Sequence, residues 1–417
     1  MRTAGSSRLY LGWTQVRDSL WFVPAVSVLV GSLLAIIAVQ ITTPSTDSTV
    51  LRVWFFGGGA AGARGMLTAI AGSLITVTGV VFSVTIVALQ LASSQFTPRV
   101  LGSFVADRVN QVVLGVFIGT FTYTLLVLRT IRSEADDRVS FVPHVAVTLA
   151  LLLLLVSIAA LIVFINHSAR SIQASVILQR ETLRTISRVE VLFPERVGEP
   201  AGEDDQDQVE TWSTAGDSAF VLATTSGYVQ AIHAESLWLS DREHRQSGIT
   251  VRLDLGVGAF VFPGKRLATI QPAAAVDERL VHAVHDSFVL GASRTIEQDV
   301  EFGMILIADI AVRALSPGIN DPTTAMNCID RLTEILASLG TRRTPSSVRQ
   351  SPSGNVRLIV QPISFDRALE VAFGQILHFG RDNPAIVQRV MRAYAELTSV
   401  VPPPLRVTIA LRASQQP

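Results

Sequence analysis

Cysteine and lysine are almost missing from this 417-residue sequence: Cys328 and Lys265 are the only ones. A single cysteine excludes an intrachain disulfide and a cysteine-based zinc site. Charge is scarce too. Only 16% of residues are charged, against about a quarter in soluble domains, which argues against a purely soluble chain and against a disordered one. The 34 basic residues balance 34 acidic ones, so the formal net charge is zero, and nothing calls for nucleic acid as a partner. The preference for Arg over Lys reads as coding bias. There is no Gly-x-Ser-x-Gly elbow, Walker A loop or His-Glu-x-x-His, and the chain is expected to be no enzyme and to carry no cofactor. Gly57, Gly58 and Gly59 lack the Lys and Ser or Thr of a phosphate cradle. His282, His285 and Asp286 lack a further carboxylate at a recognisable spacing, so no metal site is expected.

What the sequence has in abundance is apolar length. Hydrophobic residues make up 49% of the chain. Four uncharged runs fall in the first 165 residues: Leu20 to Ile41, a stretch inside Met66 to Pro98, Val112 to Leu128, and Phe141 to Ile165. A helix needs about 20 residues to cross a ~30 Å hydrocarbon core; the third run sits at the lower limit and the others clear it. The first run is too long for a signal-peptide core and is followed by no small-residue cleavage site, so it reads as an anchor. With the N-terminus inside, Arg2, Arg8, Arg17, Arg99, Arg108, Arg170, Arg180, Arg184 and Arg188 fall on inner segments. Arg52, Arg64, Arg129, Arg132 and Arg138 fall outside. That asymmetry places both termini in the cytoplasm.

The expected fold class is α+β: a four-helix transmembrane region followed by a mixed cytoplasmic domain. Residues 1–19 form a cytoplasmic N-terminus, 20–165 the four-span domain, and 166–215 a helical extension and acidic linker. A small β-barrel-like module follows at 216–275 and a helical α+β domain at 276–417. Residues 166–192 continue the fourth span at helical spacing. Glu199, Glu203, Asp204, Asp205 and Asp207 make Pro194 to Glu210 a solvated linker. Gly227 to Ile232, Ile249 to Leu255 and Leu267 to Ile270 alternate as strands. Their arrangement resembles biotinyl- and lipoyl-type domains. Lys265, however, follows Pro-Gly instead of sitting on an exposed hairpin, so no carrier role is taken over. Helices are expected over Glu278 to Leu290, Ile296 to Leu315, Thr323 to Leu339, Arg367 to Phe379 and Pro384 to Leu397. Strands are expected at Val356 to Gln361 and Leu405 to Leu411, with a polar loop over Arg342 to Asn355.

Three sets of residues could carry function. In the second span Gly72, Thr76, Gly79, Ser83, Gln90 and Ser94 recur every three or four positions except near Val87. Such a stripe is either a helix–helix seam or the lining of a water-filled pathway. No span holds an acidic residue, which counts against a proton pump. Gln95 and Arg99, at the bend set by Pro98, are placed at a cytoplasmic mouth. In the tail, Arg294, Gln298, Asp299, Asp309, Arg313, Asn320 and Asp321 are placed at a ligand or subunit contact. There Asp321-Pro322 reads as a helix cap whose dipole would favour an anion.

Leu91-Ala-Ser-Ser-Gln-Phe-Thr-Pro-Arg99, Arg294-Thr-Ile-Glu-Gln-Asp299 and the Ser-Pro-Gly-Ile-Asn-Asp-Pro run ending at Pro322 resemble a bacterial family of multi-pass membrane proteins of unknown function. The resemblance covers nearly the whole chain. It implies four spans and a cytoplasmic tail, and no known activity. The leading expectation is a homo-oligomeric channel or transporter of the bacterial inner membrane, its partners being the lipid bilayer, its own copies and a small ion or anionic ligand. The alternative is a non-conducting membrane-anchored sensor or scaffold.

Overall fold

A computed structural model describes Ser19, 21–41, 56–95, 107–132, 141–171, 173–193, 217–233, Leu237, 248–345, 347–350 and 356–415. The acidic linker, Pro98 and Arg99 lie outside the described residues. The chain divides into two compact units, with the boundary between Gln173 and Ala174.

The first unit contains α1 (Phe22–Gln40), α2 (Ala60–Gln95), α3 (Arg108–Thr130) and α4 (His144–Ser171). All four are long and apolar enough to cross a membrane. The third is longer than its charge-free run suggested, because Asp107 caps it by accepting from the Val109 amide at 2.9 Å and Arg108 and Arg129 lie at its ends. It is also the central helix. Its apolar stretch is 56% buried, against 22% or less for the others. Phe117, Tyr123 and Val127 fill the bundle core, and the Tyr123 hydroxyl donates to the Ala146 carbonyl at 2.8 Å. Helices α1 and α3 approach through small residues. A Cβ at Gly31 would run into the Gly119 carbonyl oxygen, and one at Gly115 would lie 2.6 Å from the Ser27 hydroxyl. Ser27 and Gly31, and Gly115 and Gly119, are each four residues apart, which lets two backbones close up in lipid.

The second unit opens with α5 (Ala174–Leu192), so the expected continuation of the fourth span is two helices rather than one. The strands are β1 (Ala219–Leu222), β2 (Gly227–Ile232), β3 (Ile249–Leu253), β4 (Phe260–Val261), β5 (Arg266–Gln271), β6 (Phe288–Gly291), β7 (Val348–Gln350) and β8 (Val356–Ile359). They form two open sheets, ordered β1-β5-β3-β8-β7 and β4-β2-β6, and not a closed barrel. All pairings are antiparallel except β3 with β8. Val221, Val229, Val251, Val261 and Ile270 point inward and pack with Leu280 and Val284 of α6 (Glu278–Ser287). That helix stops before the expected Leu290 because Phe288 to Gly291 pair with β2. The expected polar loop contains β7, held by Arg349 opposite Leu358.

The remaining helices are α7 (Val300–Ala314), α8 (Pro322–Gly340), α9 (Phe365–Gly380), α10 (Pro384–Val400) and α11 (Pro403–Ser414). Asp299, Asp321, Ser364 and Asn383 each cap the helix that follows with a side-chain oxygen, which satisfies amides that a helix start leaves orphaned. Asp299 moves the start of α7 from the expected Ile296 to Val300. The expected last strand, Leu405 to Leu411, is instead the middle of α11. Prolines at 402–404 pre-set a helix start, and only Ile409 of this helix is buried. Arg412 then reaches Asp366 at 2.6 Å.

Candidate functional site

Helix α2 presents two unlike faces. Ala63, Leu67, Ile70, Leu74, Val81 and Ala88 are buried within the unit. On the opposite side Gly72, Thr76, Gly79, Ser83 and Gln90 are all exposed, and a Cβ at Gly72 or Gly79 would meet nothing within 4 Å. Among the described residues of this unit no helix covers the stripe; the close small-residue seam there is the α1–α3 contact. Gly65, not singled out in the sequence, extends the glycine spacing, so that Gly65, Gly72 and Gly79 recur every seventh residue with open space over each. The Thr76 hydroxyl returns to the Gly72 carbonyl at 2.9 Å, so it is satisfied without a partner helix. On α2 the stripe is flanked by Ile75, Val80, Phe82 and Val87, each more than half exposed, and the outward faces of α1 and α4 are apolar without such a stripe. Leu29, Leu33, Leu155 and Ile162 are more than half exposed, an ordinary lipid-facing surface. Ser94 and Gln95 close α2, their side chains outside the described residues.

A second polar feature lies where α3 begins and α4 ends. The Asp107 carboxylate meets the His167 Nε2 at 2.9 Å, and its side chain is 4% exposed. Asn110 and Gln111, on the same turn as Asp107, are buried, as are Ser168 and Ser171. The signal for this pair was readable in the sequence as an Asp preceding one apolar run and a His ending another.

In the tail, Arg294, Gln298 and Asp299 come together as a clip. Arg294 grips Asp299 with two bonds of 2.7 and 2.9 Å, while Asp299 also caps α7 at the Phe302 amide. Glu301 lies 3.4 Å from Arg294 and accepts from Arg367 at 2.6 Å. Burial alone would lower the Arg294 pKa; Asp299 and Glu301 reverse that and raise it. Gln298 accepts from the Ile232 amide at 2.9 Å, which ties β2 to the segment before α7. Gly258, at φ +86, leaves room for the clip, since a Cβ there would be 2.6 Å from both Arg294 and Asp299.

The other expected contact residues are held apart from this clip in the chain. Asp309 lies one turn before Arg313, which is in the last turn of α7. Beyond it Pro317, Gly318, Ile319 and Asn320 form an exposed corner. Asn320 adopts φ 48, a left-handed conformation that Asn tolerates better than most residues. The Ser316 carbonyl accepts from Ile319 and Asn320, and the Asp321 amide donates to Ala314 at 2.8 Å. Asp321 accepts from both the amide and hydroxyl of Thr324, at 3.0 and 2.5 Å. Those bonds hold its carboxyl below the usual range and put the protein's own negative charge at the start of α8.

A cavity of about 500 Å³ opens where the parallel strands β3 and β8 end. It is lined by Arg252, Thr344, Ser347, Gln361 and Ser364 together with Ile359, Ile363 and Leu405. Arg252 is paired with Asp254 at 2.8 Å. The carboxyl ends of parallel strands are a common place for ligands in open sheets.

Cys328 and Glu181 are deeply buried. Burial pushes the Cys328 thiol up, which makes it inert. Glu181 of α5 is 1% exposed, and neither carboxylate oxygen accepts a hydrogen bond; Arg184 lies 3.5 Å away. Among the described residues no group of His, Cys, Asp and Glu is placed to hold a metal.

The family model described as "Predicted membrane protein (DUF2254)" matches residues 17–396. Uncharacterized proteins of Mycobacterium tuberculosis and Mycobacterium bovis are each 34% identical to the chain over 405 residues. The match covers 94% of this chain and 74% of theirs. No solved structure matches. With four helices able to span a bilayer and a match over nearly its full length, the chain belongs to the DUF2254 family of predicted membrane proteins.

Proposed function

We propose that this protein is a homo-oligomer of the bacterial inner membrane, with both termini in the cytoplasm, and that copies meet along the outward face of α2. Ions or small solutes pass beside Thr76, Ser83 and Gln90, and the tail assembles or gates the complex without enzymatic activity or a cofactor. One observation carries this reading. A membrane helix carries glycine and hydroxyl groups along the middle of its outward face, flanked by exposed Ile75, Val80, Phe82, Ile86 and Val87, with glycines seven residues apart. Glycine gives lipid little to contact and gives another helix close access, and a seven-residue period suits left-handed helix pairing. The test is flux through purified protein in liposomes. Bulky apolar replacements at Thr76, Ser83 and Gln90 abolish it if the reading holds. Absence of flux in the unaltered protein, or flux unchanged by the replacements, overturns it.

The cavity beside β3 and β8 favours a second reading, a membrane-anchored sensor that binds a small ligand in its tail. A thermal shift on adding a ligand, lost in Arg252→Ala, with no flux under any condition, would select it.

A further inference from the structure

We propose that the face of the tail unit formed by β1 and the β4–β5 turn docks onto anionic lipid, at the surface of the bilayer that the chain's own spans cross. This goes beyond the oligomer reading and does not depend on it.

Four large apolar side chains stand out from one region of the two sheets: Phe220 at 49%, Leu222 at 48%, Phe260 at 47% and Phe262 at 51% exposure. Their neighbours Val221 and Val261 are buried at 3% and 0%, so the strands have a filled inner face and an uncovered outer one. The four belong to one patch. The Ala223 amide donates to the Lys265 carbonyl at 2.8 Å. The Arg266 guanidinium lies 3.8 Å from the Phe220 ring centre. The Lys265 ammonium lies 5.7 Å from that of Phe262 and donates to the Phe260 carbonyl at 2.6 Å. A lone exposed Phe or Leu is ordinary; four together with two cations mark a docking surface.

Charge decides the occupant. Lys265, the chain's single lysine, and Arg266 form no ion pair among the described residues. Aromatic rings beside cations are the chemistry of a membrane interface, where rings settle at headgroup level and basic groups meet lipid phosphates. A second copy is disfavoured, because a two-fold contact would set cation against cation. The tail unit begins at Ala174, just after α4 ends at Ser171. That short connection keeps the bilayer at high effective concentration.

The test uses the full chain in nanodiscs of phosphatidylcholine alone or of equal parts phosphatidylcholine and phosphatidylglycerol. Mass spectrometry follows acylation of Lys265 by a water-soluble amine reagent. Each cation at an anionic leaflet is worth about fivefold in occupancy, so acylation is expected to be about fivefold slower or more in the anionic discs. Added salt should weaken that protection. The double variant Phe260→Ser, Phe262→Ser, whose exposed positions leave the fold intact by thermal melt, should lose it. As a second measure, a spin label at Phe262→Cys should be reached by oxygen and shielded from a nickel complex in anionic discs only. Equal acylation in the two lipids overturns the proposal. So does protection that survives the double variant, or protection that is the same in detergent, which would assign the patch to a protein contact.

Discussion

Glu181 gives the sharpest prediction about stability. Glu181 shares the buried face of α5 with Ile177, Leu178, Thr182, Thr185 and Val189. The two nearby hydroxyls are spent on backbone carbonyls, Thr182 on Leu178 and Thr185 on Glu181, each at 2.7 Å. Arg184 approaches only to 3.5 Å, and its own side chain is 46% exposed. A buried carboxylate without donors costs several kcal/mol, and a pair with a solvated arginine returns at most about 1 kcal/mol. Glu181→Leu, of similar volume, should therefore stabilise the tail unit by about 1–3 kcal/mol, and Glu181→Gln should do no harm. For a unit of this size the Leu variant should raise Tm on the order of 5 °C. The assay is thermal unfolding of the full-length protein in detergent, followed by hydrogen exchange across Ala174–Leu192. A fall in Tm of several degrees in both variants would refute the reasoning, since it would mean that the carboxylate has a strong partner.

Three further outcomes follow from the packing. Gly31→Leu should unfold or deplete the membrane unit, because its side chain meets the Gly119 backbone. Overpacking of this kind costs about 1–3 kcal/mol or more. Gly72→Leu, over open space, should leave the monomer's melting temperature unchanged; thermal melts of the two variants give the comparison. Asp321→Ala should cost about 1 kcal/mol through loss of the α8 cap, read as faster hydrogen exchange over Pro322 to Ala325. Asp366 is held below the usual carboxylate range by its hydrogen bond from Arg412. The contact therefore contributes fully above the unfolded carboxylate value near 4 and is lost as pH falls through the lower folded value. Hydrogen exchange over Pro403 to Ser414, corrected for intrinsic rates, should stay flat from pH 7 to about 5 and accelerate below about 4. Asp366→Asn should be accelerated already at neutral pH.

The membrane helices were legible because lipid tolerates so few alternatives: a long charge-free run has one structural reading. The start of α8 was legible because Asp321 followed by Pro322 reads as a cap; the caps at Asp299 and Ser364 were not read, and α7 and α9 begin at other residues than expected. What sequence reasoning missed is where two rules compete. Leu405 to Leu411 alternates as a strand would, yet the three prolines before it and the partners of Arg412 make it a helix. Phe288 to Gly291 continues the helical period of α6 and is taken by β2, a partner more than fifty residues upstream. Strand β7 is too polar to announce itself and exists because β8 offers an edge. The stripe on α2 was visible as a pattern, but not the side of the helix it occupies within the chain. That depends on which residues α3 covers. The Ser27, Gly31, Gly115 and Gly119 seam carries a plain small-residue spacing and was overshadowed by the longer stripe. The Arg294 to Asp299 segment reads as a contact in sequence; in the fold its charges are matched internally.

The most direct measurement of the account is oxidative cross-linking between copies in native membranes. The inert Cys328 can remain in place. Gly79→Cys, at the centre of the glycine and hydroxyl face, should form a disulfide-linked dimer rapidly, whereas Leu155→Cys, on the apolar outward face of α4, should not. Equal cross-linking at both positions, or none at Gly79→Cys, would contradict the account.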